Sequence, residues 1–185
     1  MSRSSGPLPK ITAHSTSIIC QDTNLQGDIT INEGVVVHPK TSILAIGGPI
    51  IIGKNCIIEE GAMIINRNAE SLRIGEYNQF MVGCRIEANS IGNWNTFQPR
   101  STVSNGIKIN DHCTFSAGTI TTPSLTISGE TEIENLPSYT TIFGSKSERR
   151  TWDGTNQVAE QNLREKHIEY LREIIPKYNR LRVIT

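Results

Sequence analysis

Histidine is the side chain in this sequence best suited to chemistry near neutral pH, because its imidazole can act as a general base or bind a metal ion. The chain has four histidines: His14, His38, His112 and His167. Three clustered histidines would indicate a metal-bound water acting as a nucleophile. The sequence contains no His-x4-His pair, so the histidines predict no metal site.

Four cysteines are the next candidates for chemistry, at Cys20, Cys56, Cys84 and Cys113. They form no C-x-x-C pair, and none has the spacing to a histidine that a zinc site requires. The first ten residues lack the apolar stretch of a secretory signal, so we expect reduced thiols in a cytoplasmic protein.

Composition excludes two further classes of function. Lys and Arg number 18, as do Asp and Glu, so the formal net charge is zero. A nucleic-acid protein usually has a basic excess or a basic stripe, and we therefore predict no nucleic-acid partner. No apolar run approaches the length of about 18 residues that crossing a membrane requires, so we predict no membrane insertion.

The elements that must position these residues follow a six-residue repeat. The chain contains 27 Ile, a β-branched residue that favours strands. Large apolar side chains recur every sixth residue, with three register breaks, and 20 of 21 repeat positions hold Ile, Leu, Val, Phe or Tyr. The repeat positions are Ile19, Leu25, Ile31, Val37, Ile43, Ile46, Ile52, Ile58, Ile64, Ile74, Phe80, Ile86, Ile91, Phe97, Val103, Ile109, Phe115, Thr121, Ile127, Ile133 and Tyr139.

Small residues occupy most positions four residues after these slots, among them Cys56, Cys84 and Cys113. We interpret these three cysteines as small, buried corner residues. A glycine directly follows an interior position at Gly53, Gly75 and Gly92. We expect a positive φ at these glycines.

This pattern resembles the hexapeptide-repeat proteins, in which three hexads close one triangular coil and successive coils stack. We predict an all-β solenoid, a parallel β-helix of about seven triangular coils with a C-terminal α-helix; the resemblance implies a left-handed helix. The expected segments are a flexible leader (1–13), the β-helix (14–144), a linker (145–154) and a C-terminal helix with its tail (155–185). Such a solenoid needs its open ends capped.

The predicted C-terminal helix has an apolar face. Thr155 is a candidate cap, and Pro176 should end the helix near Ile175. Ile168, Leu171, Ile175 and Tyr178 follow a 3-4-3 spacing and should share one face. We expect that face to pack on the β-helix wall or over its open end, to bind a partner, or to combine these roles.

Hexapeptide β-helices are often enzymes, and two classes serve as alternatives to a structural role. An acyltransferase uses a histidine as general base between the subunits of a homotrimer, and His112 is a candidate. Gly27-Asp28 followed by Val36-Val37-His38 is similar to the first part of the metal-binding pattern of γ-class carbonic anhydrases. The remaining metal histidines of that pattern would fall near Val82 and Glu87, where this chain has none.

We therefore interpret Asp28 and His38 as a vestigial site, with His38 hydrogen-bonded to Asp28 or to nearby backbone. No catalytic residue, no metal and no cofactor is predicted.

A more specific resemblance rests on ordered blocks along nearly the whole chain. GDITI (27–31), VVHPK (36–40), GPIIIG (48–53), IIEE (57–60), FMVGC (80–84) and IIPKY (174–178) are similar to the dynactin subunit 6 family. The loop at 66–73 is shorter than that family leads us to expect.

The resemblance implies a non-enzymatic scaffold in the pointed-end complex of dynactin, the cofactor of the microtubule motor dynein. It implies a heterodimer with dynactin subunit 5, contacts with other pointed-end subunits including an actin-related protein, and indirect contact with dynein cargo adaptors. The implied location is the cytoplasm and its cytoskeleton.

Overall fold

A computed structural model describes residues 10–124 and 132–184 of the chain. Twenty-one short strands precede a single long helix in it. In chain order they are β1 (Lys10–Ala13), β2 (Ile18–Ile19), β3 (Asn24–Gln26), β4 (Asp28–Ile31), β5 (Val36–Val37), β6 (Ser42–Ala45), β7 (Ile50–Ile52), β8 (Ile57–Ile58), β9 (Met63–Asn66), β10 (Leu72–Ile74), β11 (Gln79–Phe80), β12 (Arg85–Ile86), β13 (Ser90–Ile91), β14 (Thr96–Phe97), β15 (Thr102–Val103), β16 (Ile107–Ile109), β17 (Thr114–Phe115), β18 (Ile120–Thr121), β19 (Glu134–Leu136), β20 (Thr140–Phe143), β21 (Glu148–Thr151) and α1 (Gln157–Tyr178).

Each strand from β1 to β17 pairs in parallel with the strand three places further along the chain, so three strands make one triangular coil. The first wall runs β1-β4-β7-β10-β13-β16-β19. The second runs β2-β5-β8-β11-β14-β17-β20, and the third runs from β3 to β18. Six coils are complete, and a seventh has two sides. The predicted left-handed parallel β-helix with a C-terminal helix is confirmed.

Large apolar side chains of successive coils stack inside the prism. On the first wall Ile52 pairs in register with Ile74, which pairs with Ile91. On the second wall Phe80, Phe97 and Phe115 stack with ring centroids 4.8 Å apart. All predicted interior positions from Ile19 to Thr121 are buried except Ile46. The hexad spacing therefore places at least one core residue on each side of the coils between Ile19 and Thr121, and several strands of the first wall add a second, such as Ile29 beside Ile31.

Two parts of the predicted register are wrong. Ile46 is 57% exposed because it lies in a loop after β6, where its amide donates to the Asn66 carbonyl. Beyond Thr121, Ile133 is 53% exposed, and Leu136 and Ile142 take the interior places. Leu136 pairs with Ile109 and Ile142 with Phe115, so the seventh coil is shifted by three residues. Tyr139 lies half-buried at a corner and not in the interior, while the predicted position Ile127 falls outside the described residues.

The glycines after the interior positions do not have the positive φ expected of them. A Cβ on Gly75 would lie 2.5 Å from the Gly92 carbonyl oxygen, and one on Gly53 would lie 2.4 Å from that of Gly75. Their role is therefore close approach between coils. Positive φ occurs two residues further on, at Tyr77 (56°) and Trp94 (60°) among others.

The cysteines are buried free thiols. Cys56, Cys84 and Cys113 are fully buried at corners, as their repeat position predicts. Burial raises the pKa of the Cys56 and Cys84 thiols to about 12 and that of Cys20 to about 11. Since the thiolate is the reactive form, these side chains serve packing rather than nucleophilic chemistry.

Four predicted boundaries differ from the structure. β1 begins at Lys10, within the predicted leader, because 10–13 pair with β4. The predicted linker contains β21, which pairs antiparallel with β20. Thr155 does not cap the helix, since its amide and hydroxyl both donate to Asp153 Oδ1. Pro176 lies inside the last turn, which continues to Tyr178.

Close approach between coils makes a prediction about Gly75. Gly75→Ala should lower the free energy of unfolding by about 3 kcal/mol, because the new methyl group meets a backbone carbonyl that cannot move alone. The matched variant Gly118→Ala meets nothing within 4 Å and carries only the strain of its positive φ of 70°. It should cost about 1 kcal/mol. Chemical denaturation measures both, and equal losses would contradict this role for Gly75.

Candidate functional site

Helix α1 lies along the second wall of the prism. Ile168, Leu171 and Ile175 of the predicted apolar face are buried in one cluster with outward-facing residues of that wall. The wall contributes Ile18, Val36, Ile57 and Cys20, with Tyr77 at the margin. Tyr178 does not join the face, being 80% exposed. Directly after Tyr178 the chain turns toward the first coil, where the Gln21 amide donates to the Arg180 carbonyl.

The wall carries a sequence signal for this helix that the repeat analysis missed. Where the helix packs closely, both residues of the strand are apolar, as in Ile18-Ile19, Val36-Val37 and Ile57-Ile58. Further along, the outward residue is polar, as in Gln79 and Thr96. An apolar pair within a hexad therefore indicates a strand covered on both sides.

Arg164 fastens the helix to the polar half of the wall. Its Nη1 donates to the carbonyls of Tyr77 (2.5 Å) and Asn95 (3.4 Å), and its Nη2 donates to Thr96 Oγ1 (2.7 Å). Burial lowers the pKa of this guanidinium from its usual value. Nothing in the local sequence distinguishes Arg164 from the other charged residues of the helix, and sequence reasoning did not find it.

His112, the candidate acyltransferase base, belongs to an aromatic column at one corner of the prism. Its ring stacks on Tyr139 with centroids 5.1 Å apart and lies parallel to Trp94 at 6.3 Å. The Gln157 side-chain nitrogen donates to His112 Nε2 (3.1 Å), while the Gln157 oxygen accepts from the Tyr139 hydroxyl (3.1 Å). Burial lowers the pKa of His112. The column therefore holds the start of the helix, and His112 Nε2 is already engaged.

The expected hydrogen bond between His38 and Asp28 is absent from the described residues. Asp28 begins β4 on the first wall, and its carboxylate faces Lys10 at 3.7 Å. His38 follows β5 on the second wall, so the prism separates the two. The His38 amide donates to the Ile58 carbonyl (2.9 Å), whereas Nε2 is buried without a partner in the described part of the chain.

The surroundings of His38 determine its charge. Burial lowers the pKa of His38 from its usual 6.5, and nearby His167 lowers it further, while Glu59 and Glu60 act in the opposite direction. Helix α1 thus brings His167 near the wall, although the sequence suggested no role for His167 there. His14 is exposed, and its Nδ1 lies 2.9 Å from Thr16 Oγ1.

These side chains do not assemble a metal centre. Across 10–124 and 132–184, no group of three or more His, Cys, Asp or Glu side chains is arranged to hold a metal ion. In the same ranges, no helix has both the length and the apolar character needed to cross a bilayer.

Similar sequences are found over nearly the whole chain. Dynactin subunit 6 of Dictyostelium discoideum is 32% identical over 189 residues, which cover 97% of this chain and 96% of that protein. Dynactin subunit 6 of Danio rerio is 32% identical over 179 residues, covering 90% and 84%. No protein-family model matches the chain.

Similar solved structures share the β-helix. A hexapeptide transferase family protein from Anaplasma phagocytophilum superposes with a TM-score of 0.74 at 16% identity, covering 89% of this chain and 93% of that one. A putative acetyltransferase from Bacillus cereus gives 0.57 at 15% identity, covering 91% and 95%. At sequence identities this low, the similarity to these two structures shows a shared fold only.

The helix–wall contact predicts a loss of helix docking when its apolar face is removed. Leu171→Ala should lower the free energy of unfolding by about 2 kcal/mol or more, because it leaves a cavity against the wall. Replacing Ile168, Leu171 and Ile175 together by alanine should leave the helix amides unprotected in hydrogen exchange. Leu163→Ala is the control on the same helix, since Leu163 is 70% exposed. Unchanged exchange in the triple variant would contradict the docking.

Burial of His38 predicts a stability that depends on pH. The pKa of His38 is lower in the folded protein than in the unfolded chain, so protonation of His38 favours unfolding. The contribution of neutral His38 to the free energy of unfolding is therefore complete above pH 6.5. It is lost as pH falls from 6.5 through the lower pKa of the folded state. His38→Gln should therefore reduce the loss of unfolding free energy between about pH 7.5 and about pH 5.5. His14→Gln, at an exposed position, should leave that difference unchanged, and equal slopes in all three proteins would refute the prediction.

Proposed function

This chain belongs to the dynactin subunit 6 family, and from that membership we propose that it is a structural subunit of the dynactin pointed-end complex without catalytic activity. In that role it supports dynein-dependent transport of cargo along microtubules, in the cytoplasm and on its cytoskeleton. The observation that carries the proposal is a relationship that extends over nearly the full length of both chains.

The state of the histidines supports a structural role over an enzymatic one. His112 Nε2 faces Gln157 at 3.1 Å, and its ring is stacked between neighbours, so it is poorly placed to take a proton from a substrate. His38 and Asp28 lie on different walls and form no common site. The fold shared with two transferases does not by itself carry their activity over to this chain.

We propose that dynactin subunit 5 is the direct partner and forms a heterodimer with this chain. Other pointed-end subunits, including an actin-related protein, then contact the pair, and dynein cargo adaptors are reached indirectly. With zero net charge, shape and backbone pairing should dominate recognition over long-range steering.

The ends of the first wall are the best candidates for the pairing surface. The second wall ends in β21 at one end and is bridged by Leu181 at Cys20 at the other. The end strands β3 and β18 of the third wall also have one neighbouring strand each, but later parts of the chain bind at both: Arg182 Nη2 donates to the Thr23 carbonyl beside β3, and the Ile120 amide of β18 donates to Ser147 Oγ. The end strands β1 and β19 of the first wall each have one neighbouring strand among the described residues. An open strand edge presents unpaired backbone groups to which a second prism can add.

Backbone alternation shows which groups are open. The amides of Lys10 and His14 donate to the second coil, so those of Ile11 and Ala13 point the other way. At the opposite end, the Glu134 amide donates to the Gly106 carbonyl of the sixth coil. The Asn135 amide therefore points away from that coil.

The proposal is tested by measuring the solution mass of the chain by light scattering, alone and mixed with dynactin subunit 5. We expect a species near the single-chain mass of 20.5 kDa that becomes a one-to-one complex on mixing. A tight homotrimer indifferent to that partner would overturn the proposal and favour an acyltransferase or a γ-carbonic-anhydrase-like enzyme.

Two proline variants then locate the pairing edge. Ala13→Pro in β1 and Asn135→Pro in β19 each remove an amide that points out of the prism, so folding should persist. One of them should weaken the complex by about tenfold or more. Thr12→Pro is the matched control that removes an inward donor and should destabilise the fold instead. Full binding by both edge variants would exclude docking at the first-wall ends.

A further inference from the structure

A groove opens between helix α1 and the second wall where their packing turns from apolar to polar. Its wall side is formed by strand residues of the fourth to sixth coils, and its helix side by one face of the first half of α1. The lining residues are Gln79, Thr96, Gln98, Thr114, Glu160, Leu163, Arg164, Lys166 and His167. Amide and hydroxyl groups of the wall therefore face two cationic side chains, an imidazole and the single carboxylate of Glu160 on the helix.

Arg164 enters this groove with its hydrogen-bonding capacity partly unused. A guanidinium has five N–H donors, and three hydrogen bonds join Arg164 to Tyr77, Asn95 and Thr96. Two donors, the Nε–H and one N–H of Nη2, have no partner among residues 10–124 and 132–184. Nε and an adjacent Nη form a planar fork that matches the two oxygens of a carboxylate.

No carboxylate of the described residues occupies that fork. Among the described residues none lies within the 4.0 Å of an ion pair with Arg164. Glu59, which is close enough to affect Arg164, accepts hydrogen bonds from Gln79 Nε2 (2.6 Å) and the Val82 amide (3.2 Å). Glu160, one helical turn before Arg164, is exposed. The guanidinium is thus desolvated by the helix and the wall without a countercharge bonded to it.

Such an arrangement favours an external anion. Much of the free energy needed to strip water from the guanidinium is already spent in docking the helix, so a carboxylate gains charge-assisted hydrogen bonds at reduced cost. Exposed Lys166 adds a second positive charge at the rim. Leu163, 70% exposed, offers apolar contact to a residue next to the carboxylate.

We propose that this groove binds an acidic segment of a partner protein, with an Asp or Glu carboxylate on the free edge of the Arg164 guanidinium. Gln79, Gln98 and Thr114 offer donors to the second carboxylate oxygen and to the backbone of the segment. The inference rests on this chain's own residues and holds whether or not the proposed heterodimer forms.

The test uses the full chain and a fluorescent pentaglutamate peptide, with pentaglutamine as the neutral probe. By anisotropy, pentaglutamate should bind about tenfold or more tightly than pentaglutamine, and the difference should shrink as salt rises. In a nitrogen-15 spectrum, the Arg164 Nε–H signal is assigned by its loss in Arg164→Lys. This signal should shift when pentaglutamate is added and should stay in place when pentaglutamine is added.

Charge reversal separates the groove from general attraction. Lys166→Glu should weaken pentaglutamate binding about tenfold. Lys108→Glu makes the same change of net charge at an exposed site on the first wall and should have little effect. Circular dichroism checks that both variants keep the helix. Equal effects of the two reversals, equal binding of both peptides, or an unmoved Arg164 signal would overturn the proposal, and none of these results bears on pairing with dynactin subunit 5.

Discussion

The register between successive coils is the constraint on which the rest of the structure depends. Each short strand has two to four residues, and between the end coils its backbone hydrogen bonds join it to the coils above and below. A strand that short is not stable alone, so its stability comes from stacking like on like. Ile stacks on Ile along the first wall and Phe on Phe along the second. The corners obey the same rule, because Asn93 caps the Glu76 amide and Asp111 caps that of Asn93.

Because coils stabilise only their neighbours, the ends are the weak points of such a prism. The chain treats its three walls differently. At the far end of the second wall, β21 carries Glu148, Arg149 and Arg150, and such charges on an edge strand discourage further pairing. At the near end, the Arg182 amide donates to the Ile19 carbonyl and Ile184 packs against the core. The third wall is bound at its ends by Arg182, which donates to the Thr23 carbonyl, and by Ser147, whose hydroxyl accepts from the Ile120 amide. On the first wall the outward amides of β1 and β19 have no hydrogen-bond partner in the described residues, which is why we place the proposed pairing there.

Helix α1 couples coils that do not touch one another. Gln157 contacts His112 and Tyr139 in the last coils, Arg164 contacts the middle, and Ile175 packs near the first. The contact changes in character along its length, from apolar at the first three coils to polar beyond them. That change leaves the groove into which Arg164 projects. The same helix–wall contact therefore accounts for both the docked helix and the groove beside it.

The sequence by itself determined the β-helix, its repeat positions up to Thr121 apart from Ile46, the buried corner cysteines and the apolar face of the helix. These follow from periodicity, which local sequence records because each hexad repeats the same environment. Tertiary structure alone decided the register at Ile46 and after Thr121, where loops break the period. It also decided the role of Gly75, the separation of His38 from Asp28, and the position of Arg164. Each of these depends on contact between residues far apart in the chain, such as Arg164 with Tyr77, and no periodic pattern encodes where a helix will meet a wall.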